Sequence, residues 1–186
     1  MHIIGGKKKG HHIEGPGPGE IRPMRHVVRK ALFDMLRRVI EDSNFLDLFA
    51  GTGSVGLEAL SQGAGYVTFV DNFDKAIEII NRNIKSLDYT EKTRTYCRKV
   101  DEMIDLFDRR DRRFNIVFIG APYGEGLAEE TLKDISERTI LEPFGLVALE
   151  VFSKRSLKDS YGDLNLIKER DYGQNRLMIF RKDSER

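Results

Sequence analysis

Ten consecutive residues, Asp47-Leu48-Phe49-Ala50-Gly51-Thr52-Gly53-Ser54-Val55-Gly56, set an acid just ahead of a G-x-G-x-x-G run. Glycines at that spacing allow a tight strand-to-helix turn and let backbone approach a ligand closely. A dinucleotide pyrophosphate on the helix N-terminus is one use of such a loop. Asp47 argues against it, because a carboxylate at the end of the strand repels a pyrophosphate and attracts a cation. The ammonium and sulfonium of S-adenosylmethionine are such cations. Asp71 follows Gly51 by twenty residues, where an acid can accept hydrogen bonds from both hydroxyls of a ribose. Asn72 is then within reach of ribose or adenine, and Asp101 closes a third expected strand near the adenine amine. Asp71 and Asp101 each precede an expected helix, so capping is the competing role. Acids after three successive strands favour a ligand crevice, since open α/β sheets bind at that edge.

The elements that must position these residues alternate. Apolar runs predict strands at 45–49, 66–70, 93–100, 114–119 and 146–151. Helical spacing predicts helices over 24–40, 55–62, 75–87, 101–107 and 129–138. Segments 164–170 and 177–181, split by Asp171-Tyr172-Gly173, predict a terminal antiparallel hairpin. Strands alternating with helices imply a parallel sheet covered on both faces. The expected fold is therefore α/β and Rossmann-like, with seven strands, mostly parallel. Two units are expected: a basic N-terminal hairpin over 1–23 and the sheet domain over 24–186. Gly15-Pro16-Gly17-Pro18-Gly19 marks the linker or ordered loop between them.

Among 186 residues there is one cysteine, so no internal disulfide forms, and a reducing, cytoplasmic location is expected. No apolar run is long enough to span a bilayer. The net charge of +1 hides an asymmetry: residues 1–40 carry nine Lys/Arg against three acids. A basic front on a mildly acidic body suits a polyanion-binding arm, and equally a solvated face. His11-His12 has no partner at metal-ligand spacing, so no metal is expected. Cys97 reads as a small core or edge residue, Glu150 as a crevice wall or an arginine partner, and Ser54 belongs to no P-loop.

With these motifs in place the chain resembles the RsmD-type guanine-N2 methyltransferases of small-subunit ribosomal RNA, nearly end to end. The residues that carry the likeness are Ile3-Ile4-Gly5-Gly6 with Lys9-Gly10, Arg22-Pro23, and Val28 to Leu36. They continue through Asp47 to Gly53, Gly56 to Ser61, Phe69-Val70-Asp71 and Tyr172-Gly173. The resemblance implies a class I methyltransferase fold with S-adenosyl-L-methionine as cofactor. Asp47, Phe49, Gly51, Gly53, Asp71, Asn72 and Asp101 would hold it. It implies rRNA or the small ribosomal subunit as partner, held by Lys7, Lys8, Lys9, Arg22, Arg25 and Arg29 at the carboxyl edge of the sheet; the protein is expected to be a monomer.

One departure stands in the family's Asp/Asn-Pro-Pro-Tyr/Phe signature, which accepts hydrogen bonds from the target amine. Here it reads Gly120-Ala121-Pro122-Tyr123. The side-chain acceptor is absent, while the carbonyls of Gly120 and Ala121 remain, and Tyr123 can stack on a flipped base. Backbone acceptors alone can serve, another side chain or acceptor atom can serve, or the chain binds cofactor and RNA without turnover. A methyltransferase acting on another RNA base, on DNA or on protein is the remaining alternative.

Overall fold

The computed structural model describes residues 1–17, 24–122 and 126–183. Helix α1 (His26–Leu36) precedes strand β1 (Asn44–Leu48), helix α2 (Ser54–Ser61) and strand β2 (Tyr66–Asp71). Helix α3 (Asp74–Ser86), strand β3 (Thr93–Cys97), helix α4 (Val100–Arg109) and strand β4 (Phe114–Ile119) continue the alternation. Helix α5 (Leu127–Ser136) leads to β5 (Leu141–Phe152), β6 (Ser160–Tyr161), β7 (Leu164–Tyr172) and β8 (Asn175–Lys182). The sheet runs β3-β2-β1-β4-β5-β8-β7-β6. Strands β1 to β5 pair in parallel, and β8, β7 and β6 add antiparallel. The chain order reverses between β1 and β4, which opens a crevice outside their carboxyl ends.

The expected class holds, with three corrections. The sheet has eight strands rather than seven; β6, two residues long, is too short to register as a periodic pattern. β3 stops at Cys97 rather than at residue 100, because the chain has already turned into α4. β5 starts at Leu141 rather than at residue 146, across a bulge where Phe144 takes φ 59° and pairing with β4 shifts register. Pro143 and Gly145 look like breakers in sequence, yet a bulge accommodates both.

Strand alternation feeds two cores. Phe45, Phe118, Ala148 and Ile179 face α1, α2 and α3, while Leu46, Val117, Val147 and Phe180 face α4 and α5. The N-terminal hairpin, bridged at His2 and His12, drives Ile3 and Ile13 into the first core. It is thus sealed to the sheet domain rather than hung beside it, and the expected boundary at residue 23 lies outside the described residues.

Gly56 lets α2 lie against β2. A Cβ there would stand 2.3 Å from Phe69 Cε1 and 2.8 Å from Val67 Cγ1. In an open helix, glycine to alanine gains about 1 kcal/mol. Here overpacking costs about 1–3 kcal/mol, so Gly56→Ala is expected to lower the urea unfolding midpoint; a raised midpoint would contradict this packing.

Candidate functional site

β1 ends at Leu48, and Phe49 (φ 58°), Gly51 (φ 56°) and Gly53 (φ 74°) carry the chain through left-handed turns into α2. Phe49 pays local strain that a glycine would avoid, a feature concentrated at ligand sites. Gly51 N–H donates to Asp71 Oδ2 at 2.8 Å, and Gly53 N–H to the Ala50 carbonyl at 2.8 Å. Beside this loop lies an open cavity of about 410 Å³. Asp47, Phe49, Gly51, Asp71 and Asn72 line it, together with Gly120, Ala121 and Pro122. Gly53 is not in its wall and serves the turn into α2.

Asp47 is 1% exposed, yet its side chain reaches the cavity. Its Oδ2 accepts the Gly56 N–H at 2.9 Å. Burial pushes its carboxyl up to about 8; the Gly56 bond opposes that rise and the nearby Asp71 adds to it. A desolvated acid at a cavity wall is costly unless a cation meets it, so this donor set fits the ammonium of S-adenosylmethionine. The same acid counts against a pyrophosphate.

Asp71 accepts from Gly51 N–H on Oδ2 and from Phe73 N–H at 3.0 Å on Oδ1. Each oxygen keeps a second lone pair, enough for two ribose hydroxyls. Phe73, one residue past Asn72, is 49% exposed and lines the cavity. An exposed ring there offers a flat face on which a planar group can stack. Sequence reading passed over it, although an aromatic two residues after the ribose acid was the available signal. Met24, just ahead of α1, lines the cavity too and was also missed.

Asp101 does not close a strand. It stands exposed in the first turn of α4, outside the cavity wall, where an acid complements the helix dipole. The capping-type alternative therefore describes its position better. Cys97 ends the edge strand exposed, its Sγ 2.9 Å from Asp74 Oδ1.

Just after β4, Gly120 N–H donates to the Leu48 carbonyl at 3.0 Å, tying this segment to β1. A Cβ at 120 would meet Phe118 Cε1 at 3.0 Å, so a side chain there needs that ring to shift. Tyr123 lies outside the described residues. Glu150, 6% exposed, is also in the cavity wall, and its Oε1 accepts from Asn175 Nδ2.

The basic residues divide. α2 runs from the carboxyl edge back to the amino edge, and Lys8 N–H bonds the Oγ of its last residue, Ser61, at 2.9 Å. Lys8 Nζ is 3.6 Å from Asp88, beyond the end of α3. The Lys7–Lys9 turn therefore sits at the amino edge, opposite the cavity, contrary to the sequence expectation; a sequence cannot tell which end of α2 the hairpin covers. Arg29 is corrected as well. It is 3% exposed, its Nε 3.7 Å from Glu58, which is 0% exposed, and its Nη2 donates to the His2 carbonyl at 2.7 Å. It holds the hairpin rather than facing solvent. Arg22 lies outside the described residues. Arg25 is exposed and donates to the Tyr172 carbonyl at the β7–β8 turn, which is on the carboxyl edge. Cations the sequence reading passed over also occupy that edge: Arg98 and Lys99 after β3, Lys154 and Arg155 after β5.

Among the described residues no cluster of three or more His, Cys, Asp or Glu could hold a metal, and no helix is long and apolar enough to cross a membrane.

The chain is similar to YlbH of Bacillus subtilis (strain 168), 31% identical over 182 residues, covering 98% of this chain and 99% of that one. It is similar to Ribosomal RNA small subunit methyltransferase D of Escherichia coli (strain K12), 30% identical over 185 residues, covering 100% and 91%. The solved structure of yhhF from Escherichia coli matches with TM-score 0.87 at 28% identity, covering 100% of this chain and 99% of that one. Methyltransferase structures at 13% identity, one of them complexed with SAH, share the fold alone. The RsmD-type resemblance thus holds, and the chain belongs to the family described as conserved hypothetical protein 95, whose model matches residues 1–181.

Proposed function

We propose that this protein transfers a methyl group from S-adenosyl-L-methionine to the exocyclic N2 of a guanine in small-subunit ribosomal RNA. The observation that carries the reading is Asp47, a buried acid opening onto a cavity also lined by Gly120, Ala121 and Pro122. The cofactor supplies an electrophilic methyl group on a sulfonium. The chain's residues do the rest: Asp47 neutralises the cofactor's ammonium, Asp71 takes the ribose hydroxyls, and Phe73 stacks on adenine. Backbone carbonyls at 120 and 121 accept from the target amine and direct its lone pair at the methyl. Catalysis is by alignment and water exclusion, which can contribute several kcal/mol to the barrier. The Escherichia coli relative named small subunit methyltransferase D supports the substrate class, and such a substrate places the enzyme in the cytoplasm.

The test is transfer of labelled methyl to small-subunit particles from cells lacking this modification. Label in one guanine is expected; cofactor binding without label in any particle or free RNA would sink the reading. The rim makes a second expectation. Arg25→Ala and Lys154→Ala should each weaken RNA binding and lower the salt slope by about one. Lys7→Ala with Lys9→Ala should leave both unchanged, because that turn faces the other edge.

A further inference from the structure

Leu164 and Leu166 of β7 side with the second core. Strict alternation would carry that row on to Lys168 and Arg170. It does not, because the pairing with β8 shifts register between Leu166 and Lys168. Ile167 is the extra residue of a bulge, and a one-residue slip moves every later side chain to the other face. Lys168 therefore stands opposite Ile179, and Arg170 opposite Leu177; both partners belong to the first core. Glu169 and Asp171 take the second-core face, opposite Met178 and Arg176.

The bulge thus sorts charge by face. On the second-core face Arg176 Nε donates to Asp171 at 2.6 Å and its Nη1 lies 3.5 Å from Glu169, so one cation is shared by two acids. On the first-core face Lys168 and Arg170 are exposed, and neither has an ion-pair partner among the described residues. They stand about 6.6 Å apart along the strand, two like charges that only an outside anion can relieve.

This face leads back to the cofactor cavity. Tyr172, two residues beyond Arg170, accepts from Arg25 on its carbonyl, and Arg25 follows Met24, which lines the cavity. Ser153 N–H donates to the Gln174 carbonyl at 2.9 Å, which sets Lys154 beside the same turn. From the cavity rim the cations run Arg25, Arg170, Lys168 along about 13 Å of β7. The ring of Tyr172 packs against the first core, so the run offers charge rather than a platform for bases. Contacts of that kind position a nucleic acid without reading its sequence.

We propose, resting on the methyl-transfer reading above, that this face of β7 holds the sugar–phosphate backbone of the RNA flanking the target nucleotide. Arg170 and Lys168 each take a phosphate, and the bulge at Ile167 is the device that aims them.

Lys168→Ala with Arg170→Ala is the test, read as affinity for small-subunit ribosomal RNA against salt, without cofactor. The slope of log affinity on log salt should shrink by about two. Loss of affinity between about 50 and 200 mM salt should then be about tenfold smaller than for the natural protein. KM for small-subunit particles should rise, while kcat, cofactor affinity and melting temperature stay in place. Lys168→Arg with Arg170→Lys, which keeps both charges, should keep the natural slope. Lys7→Ala with Lys9→Ala removes the same charge from the opposite edge and should keep it too. A slope lowered equally by that control would reduce the effect to net charge and overturn the proposal. An unchanged slope in the Lys168→Ala, Arg170→Ala protein would overturn it and leave the methyl-transfer reading intact. If that protein instead lost binding to phosphatidylserine vesicles, the face would belong to a membrane. A lowered slope, from a natural protein that methylates nothing, would uphold this face and sink the methyl-transfer reading.

Discussion

Asp47→Ala is expected to weaken S-adenosylmethionine binding by roughly 30- to 5,000-fold, the effect of truncating one partner of a buried charge pair at about 2–5 kcal/mol. The reason is positional. Asp47 is 1% exposed and fixed by the Gly56 N–H at 2.9 Å, so solvent cannot stand in for it. Isothermal calorimetry measures the change, and a loss below threefold would remove Asp47 from the cofactor site.

The same residue makes the chain's stability and binding depend on pH. Burial holds the Asp47 carboxyl at about 8 in the folded chain, against an ordinary 3.8. Between those values the folded state binds one proton that the unfolded state has released. Stability from this group is complete below about pH 4 and is lost as pH rises through about 8. A cation docking on Asp47 favours its charged form, so binding at pH 7 should release close to one proton. Calorimetry in buffers of different ionisation enthalpy reads that proton directly. Asp47→Asn should abolish the release and flatten the fall in stability. Unchanged release in Asp47→Asn would locate the proton elsewhere.

Local pattern made much of the fold legible. The strands β1, β2 and β4 and the glycine loop combine short apolar runs with glycine turns, signals contained within ten residues. The start of β5 was hidden because Pro143 and Gly145 sit in a bulge that only pairing with β4 creates. In the cavity wall, Asp47, Gly51, Asp71 and Asn72 could be read from strand ends, since position in a parallel strand fixes the edge that a side chain meets. Phe73 sits one step further along, where the chain leaves the strand, and no period extends to it. Glu150 was visible as a strand-end acid, and the structure puts it in the cavity wall. Lys7–Lys9 shows the limit most clearly: charge was read correctly and the edge was not, because the hairpin's anchor is Ser61, more than fifty residues away.

Arg29→Met is expected to cost about 3–5 kcal/mol, the penalty for stranding one member of a buried ion pair. Val28, Leu32 and Leu36 form the buried stripe of α1, and Arg29 falls beside it with Phe33. A sequence reading puts a cation at such a position toward solvent. Glu58, from α2, reverses that by entering the same core at 0% exposure. Its carboxylate also accepts from Ile4 N–H and Gly5 N–H, each at 2.8 Å, so one buried acid joins α1, α2 and the hairpin. Burial lowers the Arg29 guanidinium's proton affinity, with Glu58 opposing the loss, as expected for a buried cation held beside an acid. For a domain of this size the melting temperature should fall by about 6–20 °C, by scanning calorimetry. RNA affinity of the folded variant should match the natural protein, whereas Arg25→Ala should lower affinity and leave melting unchanged. An Arg29→Met protein that melts normally and binds RNA weakly would return Arg29 to the RNA interface and leave the hairpin without its anchor.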